Sequence, residues 1–224
     1  MTRPKVPTPL HTQGPMDQDY FNSRYTFDAS RKKVWRAIDE YLQKHLKEGG
    51  TVLELGAGYC DFINQIGAGK KYALDRHPGV AGYCGPDVEF LHSASGEINC
   101  AENSVDTVFA SNLLEHLDEK ELAVLFTAID RVLRKNGRLI LIQPNIRYCS
   151  REYWDDFTHV KAYSHISLAD FLSSRGFAVV KVEKKFLPFS FKSVLPRSLL
   201  LTRLYLRSPW RPFAKQMLVI AEKK

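Results

Sequence analysis

Apolar residues recur in this chain at two spacings. Over residues 30–47, SRKKVWRAIDEYLQKHLK, Val34, Trp35, Ile38, Tyr41, Leu42 and Leu46 fall on one stripe at the helical period, and Gly49-Gly50 is the predicted stop. Short apolar runs follow: TVLEL (51–55), KYALD (71–75), VEFLH (88–92), VDTVFA (105–110) and RLILIQ (138–143). Their length and continuity are those of strands buried on both faces. Between the last two, Asp118 and Glu121 have the spacing of a capping box, which predicts a helix running to Gly137 after Arg134-Lys135. Ser167 with Asp170 predicts another helix, stopped by Gly176, and FAVVKVEKK (177–185) and QMLVIAE (216–222) close the pattern as strands. Strands alternating with helices predict an α/β, doubly wound sheet with right-handed crossovers, and leave the strand order open.

A chain of 224 residues, 44% of them apolar, suits one domain over residues 30–224. Residues 1–29, rich in proline and polar side chains, lack the apolar core of a signal peptide and are predicted to be a flexible N-terminal arm. Cys60, Cys84, Cys100 and Cys149 are too scattered for a CxxC metal site or a disulfide framework, which points to reduced thiols, no metal and a cytoplasmic location. Charge is uneven. Residues 181–224 carry eleven Lys/Arg against Glu183 and Glu222, a net +9, while the remainder carries −2. An anionic partner for the tail, or a solvated basic face, would account for this.

The stretch TVLELGAGYC (51–60) places Gly56, Ala57 and Gly58 after the first strand, where a doubly wound sheet binds its ligands beyond the strand ends. Asp75 ends the second strand 19 residues after Gly56, close to the separation of a carboxylate that accepts from a ribose diol. Asp61, three residues after Gly58, would repel a diphosphate, and Glu54 suits a cofactor carrying positive charge. Both disfavour a nicotinamide or flavin dinucleotide, although a nicotinamide-dependent oxidoreductase and a non-catalytic binding module of this fold stay open.

LELGAGYCDF, ALDRHP, LHSASGEI, SVDTVFASNLLEHL and LRKNGRLILIQPN, in that order over residues 30–185, resemble the class I S-adenosylmethionine-dependent methyltransferases of the type 11 and type 23 kind. That resemblance implies a seven-stranded sheet with an antiparallel last strand and S-adenosyl-L-methionine as cofactor. It carries Glu54 to the acid of the first motif and Gly56, Ala57 and Gly58 to the turn under the methionine part. Asp75 falls on the ribose-binding acid, Arg76 beside the adenine, Ser93 and Ala94 at the adenine rim, and Ser111 and Asn112 near the amino acid end and the methyl group. Cys60 stands where the family has a third glycine.

Methyl transfer from a sulfonium needs alignment of the acceptor and, where the nucleophile carries a proton, a base. Residues 143–164, after the fifth strand, gather Tyr153, Trp154, Asp155, Asp156, His159 and Tyr163. His159 paired with Asp156 is the candidate base, and His116 in LLEHL is a cofactor-side or structural candidate. Asp155, Asp156 and His159 match no recognised metal ligand set. WDDFTH, SLADFLSSRGF and the basic tail resemble bacterial methyltransferases of cell-surface glycan or natural-product pathways, which implies an O or N acceptor on a small molecule or saccharide, including a lipid-linked one. No NPPY-like tetrapeptide follows the fourth strand, which disfavours nucleic acid bases as acceptors. Within an insertion at about 186–213, leucines interleave with Arg197, Arg203, Arg207 and Arg211, which predicts either an amphipathic element resting on the anionic inner face of a membrane or a helix packed on the domain. Oligomeric state is left open.

Overall fold

In the computed structural model the described residues are 30–93, 96–188 and 198–224. The predicted arm 1–29, Ala94, and residues 189–197 of the predicted insertion lie outside them. Helix α1 (Arg31–Gln43) leads into strands β1 (Thr51–Leu55), β2 (Lys70–Asp75), β3 (Val88–His92) and β4 (Val105–Ser111). Then come α2 (Glu119–Val132), β5 (Leu133–Pro144), the short α3 (Ile146–Cys149), α4 (His165–Ser174), β6 (Phe177–Glu183), α5 (Leu199–Arg207) and β7 (Gln216–Lys223). The seven strands form one sheet in the order β3-β2-β1-β4-β5-β7-β6. β7 runs antiparallel to both neighbours, and the pairs from β3 through β5 are parallel. The predicted fold class, a seven-stranded doubly wound sheet whose last strand is antiparallel, is the observed one.

Strand periodicity divides the core. In β5, Leu139 and Leu141 join β7 Met217 and Val219 in a cluster with α2 and α4, while Ile140 and Ile142 join Leu218 and Ile220 in a second cluster with α1 and Leu206 of α5. Successive side chains point to opposite faces, so an unbroken apolar strand fills both layers. Each fully buried Leu, Ile or Phe contributes about 1.5–3 kcal/mol relative to exposure, which makes this two-faced burial the main support of the sheet.

Several predicted boundaries move. α1 ends at Gln43 with Lys44 as its cap, several residues before Gly49-Gly50, yet Leu46 remains buried against the same cluster. α2 has the predicted Asp118–Glu121 capping box but stops at Val132. Arg134-Lys135-Asn136-Gly137 belong to β5, because Leu133 pairs with Val105 and a register shift before Thr107 draws the segment into the sheet. α4 starts earlier than predicted, since its capping box is Ser164 with Ser167. No α-helix follows β1: residues 58–65 wind as consecutive turns.

α5 packs on α1, where Arg203 grips Glu40 with two contacts, Nε to Oε2 at 2.6 Å and Nη2 to Oε1 at 2.5 Å. Beyond α5, the Arg211 guanidinium bonds the Glu183 carboxylate and, at 2.7 Å, the Leu206 carbonyl. The described part of the predicted insertion is therefore fixed to the domain by one face. Its other face leaves Leu200, Leu201 and Leu204, with Trp210 and Phe213 beyond the helix, exposed. Among the described residues no helix is long and apolar enough to cross a membrane.

Candidate active site

The order β3-β2-β1-β4 brings the carboxyl ends of four strands side by side, and the turn after β1 lies at the middle of that edge. Gly56 (φ 65°), Gly58 (φ 51°) and Cys60 (φ 54°) occupy left-handed backbone at alternate positions. Such a turn suits glycine and strains any residue with a Cβ. It is pinned to β2: the Gly56 and Ala57 N–H groups both donate to the Leu74 carbonyl, at 2.9 and 3.2 Å, and Gly58 N–H donates to Asp75 Oδ2 at 3.0 Å. Asp75 Oδ1 accepts from His77 N–H at 2.9 Å. Burial raises the pKa of this carboxyl, and the two N–H donors pull it back down.

A methyl group on Gly56 would lie 3.2 Å from Leu113 Cδ1, so the turn and the loop after β4 nearly touch. In that loop Asn112 is also left-handed (φ 51°); its N–H donates to the Ile142 carbonyl at 2.9 Å and its Oδ1 accepts from Gln216 of β7 at 2.8 Å. Ser111 ends β4 half-buried, Arg76 is exposed just beyond β2, and Ser93 is buried with its N–H donating to the Asp75 carbonyl at 3.2 Å. The predicted cofactor residues within the described chain therefore fall on one edge. Glu54 differs in kind. Its carboxyl is buried and accepts from Ile63 N–H at 3.1 Å, so it shapes the segment behind the turn, and burial holds its pKa well above the usual carboxylate range. Asp61, read from sequence as a bare charge, is paired with Arg31 at 2.9 Å.

Beyond β4 and β5, two histidines from distant segments meet. His116 lies on a 3-10 turn (Leu114–His116) after β4 and His159 on the loop after β5, with ring centroids 4.8 Å apart. Val160 and Lys161 N–H groups donate to the Glu115 carbonyl at 2.9 and 3.2 Å and join the two segments. His159 Nδ1 lies 2.6 Å from the Tyr153 carbonyl, which can only accept, so Nδ1 carries the proton and Nε2 the lone pair. Asp156 reaches the pair through Thr158. The Thr158 hydroxyl donates to Asp156 Oδ1 at 2.7 Å and accepts from His116 Nδ1 at 2.9 Å, which fixes the same tautomer for His116. Burial and the neighbouring His159 ring lower the His116 pKa to about 4. A backbone carbonyl orients His159 at Nδ1, and Asp156, the predicted support of His159, also reaches His116 through Thr158.

Sequence reasoning missed Glu115 and Thr158. Glu115 is 1% exposed, neither carboxylate oxygen has a hydrogen-bond partner on another residue, and burial, with the Asp156 charge next, raises its pKa to about 8. Its adjacency to His116 in LLEHL was the available signal, but nothing local says that it points inward. Beside the pair, Tyr153 is buried with its hydroxyl on the Lys161 carbonyl at 2.6 Å, while Trp154 and Phe157 are exposed.

Residues 53–141 match the family described as a methyltransferase domain. Over 104 residues the chain is 32% identical to phosphoethanolamine N-methyltransferase 1 of Triticum aestivum, an alignment that takes in 42% of this chain. It spans only 21% of that protein, so the chain covers about a fifth of the length of this curated relative. A SAM dependent methyltransferase from Archaeoglobus fulgidus superposes with a TM-score of 0.63 at 19% identity, covering 86% of this chain and 94% of the other. For a SAM dependent methyltransferase from Aquifex aeolicus the TM-score is 0.58 at 19% identity, covering 87% and 93%. At these identities the likeness to solved structures fixes the fold. Residues 53–141 accordingly resemble a methyltransferase domain, set in the fold of solved S-adenosylmethionine-dependent methyltransferases.

Proposed function

We propose that the whole chain is an S-adenosylmethionine-dependent methyltransferase that moves a methyl group to an oxygen or nitrogen of a small molecule. The observation that carries this reading is the joint placement of the Gly56–Gly58 turn and the Asp75 carboxylate on one edge, with the turn held close to Leu113 of the loop that leads to His116 and its partner His159. Asp75 keeps lone pairs for a ribose diol after accepting two backbone bonds. Gly56, Gly58 and Ala57 hold the methionine part, Arg76 and Ser93 flank the adenine, and Ser111 and Asn112 stand toward the methyl group. Displacement at the sulfonium carbon is in line, so the protein supplies alignment and exclusion of water. His159 takes the acceptor proton at Nε2, with Asp156 steadying the neighbouring His116.

The exposed rings of Trp154 and Phe157 offer a stacking surface for a saccharide or other flat-faced acceptor. The wheat relative's name describes methylation of an amine, which agrees with the nitrogen option. A glycan or natural-product acceptor, lipid-linked in one version, fits the exposed Leu200, Leu201, Leu204, Trp210 and Phe213 beside Arg207, a surface suited to the anionic inner face of a membrane in a cytoplasmic protein. Calorimetry decides the cofactor: S-adenosylhomocysteine binds and NADH does not, and the reverse result refutes the reading in favour of a nicotinamide-dependent oxidoreductase. Binding of neither leaves a non-catalytic module. Flotation with anionic vesicles decides the surface, and absence of binding at low salt removes the membrane.

A further inference from the structure

We propose that Glu115, His116 and His159 form a binding site for a divalent first-row transition metal ion, Zn²⁺ being the type case. The role of such an ion in methyl transfer rests on the reading above; its binding does not. Each residue offers one ligand atom, and these atoms lie within 4.8 Å of one another. A tetrahedral ion with bonds of about 2.0–2.1 Å needs its ligands roughly 3.4 Å apart. Side-chain rotation closes the difference, and Glu115 breaks no hydrogen bond to another residue in doing so.

Three features argue for an ion here over a chance cluster. First, Glu115 is a fully buried carboxyl with both oxygens unsatisfied, an arrangement that costs free energy unless something partners it. Second, both imidazoles are engaged at Nδ1 by outer groups, His159 by the Tyr153 carbonyl at 2.6 Å and His116 by the Thr158 hydroxyl at 2.9 Å, so ligation falls to Nε2. Metal-bound histidines are oriented in this way, commonly with a carboxylate further out, which Asp156 supplies through Thr158 at 2.7 Å. Third, two imidazoles and one carboxylate suit Zn²⁺, Co²⁺ or Fe²⁺ better than Mg²⁺ or Ca²⁺, and three protein ligands leave a position for water or for an acceptor heteroatom. Ligation would occupy the His159 Nε2 lone pair that the reading above gives to the acceptor proton, so ion and proton would compete for it.

The test uses the untagged full chain, stripped with chelator and titrated with Zn²⁺ by calorimetry and with Co²⁺ by visible absorption. The expected result is one ion per chain and the intense bands of low-coordinate Co²⁺. Thr158→Val should weaken binding about tenfold or more through loss of the outer support, and Glu115→Gln and His159→Ala by about a hundredfold. The absence of saturable binding, or equal affinity and spectra in all three variants, overturns the proposal. S-adenosylhomocysteine binding is measured on the same samples: if it is lost while the ion binds, the methyltransferase reading fails and the metal site stands. Should Glu115→Gln fail to fold, Thr158→Val, which removes a single hydroxyl, decides the case.

Discussion

Gly58 and Asp75, 17 residues apart in the chain, are joined by a 3.0 Å hydrogen bond from the Gly58 N–H to Asp75 Oδ2. The bond makes one carboxylate both a clamp on the turn after β1 and the acid at the end of β2, so the shape of the turn and the ribose recognition proposed for Asp75 would depend on the same side chain.

Replacing that acid separates its parts. Asp75→Asn keeps one acceptor oxygen and turns the other into a donor that cannot serve Gly58 or His77. S-adenosylhomocysteine affinity should fall about 10–100-fold by calorimetry, equivalent to roughly 1.4–2.8 kcal/mol. Unchanged affinity would remove Asp75 from the cofactor site.

Cys60 holds a left-handed φ of 54°, and relief of that strain is measurable. Cys60→Ala and Cys60→Gly both lose the buried sulfur, but only glycine relaxes the backbone. Chemical denaturation should show Cys60→Gly more stable than Cys60→Ala by about 1 kcal/mol. Equal stability of the two variants would mean that the turn is unstrained.

His159 is expected to act on turnover and not on cofactor capture. His159→Ala should lower kcat about 100-fold or more with KM for S-adenosylmethionine changed less than about threefold, and Thr158→Val, acting through His116, should cost about tenfold. Parallel loss of cofactor affinity in both variants would assign the pair to scaffolding.

Asp39 gives a stability prediction with a definite sign. It is 4% exposed, both oxygens lack hydrogen-bond partners, and burial, followed by the charges of Glu54, Asp61 and Glu40, raises its pKa from 3.8 to about 10. The folded state keeps the proton that the unfolded state releases above pH 3.8, so the cost is absent below that value and grows as pH rises toward 10. Asp39→Asn removes this linkage. Relative to wild type, its Tm should rise by about 5 °C at pH 8, from roughly 2 kcal/mol, and change little at pH 4. An equal shift at both pH values would refute the titration.

The site was partly legible in the sequence. Gly56, Gly58 and Asp75 stand at spacings set by a strand, a tight turn and a crossover, which are local geometry, and they fall where that geometry puts them. Glu54 reads equally well as a cofactor acid, and the contact of its Oε2 with Ile63 N–H, set by what packs behind the turn, is one that sequence does not show. The predicted partnership of Asp156 with His159 was reasonable for two residues three apart. What spacing does not show is the pairing of Thr158 with Asp156 and of the Tyr153 carbonyl, six residues away, with His159.

Periodicity alone determined that the chain alternates strands with helices, that its central strands are buried on both faces, and that one edge carries a glycine turn and an acid. Those properties follow from dihedral preference and from the two-residue repeat of a strand, which neighbouring residues decide among themselves. Tertiary structure alone decided the strand order, the folding of Arg134–Gly137 into β5, and the meeting of Glu115 and His116 with a histidine more than forty positions away. Contacts of that kind are set by which surfaces remain to be buried once the local elements exist, a choice that the whole chain makes together.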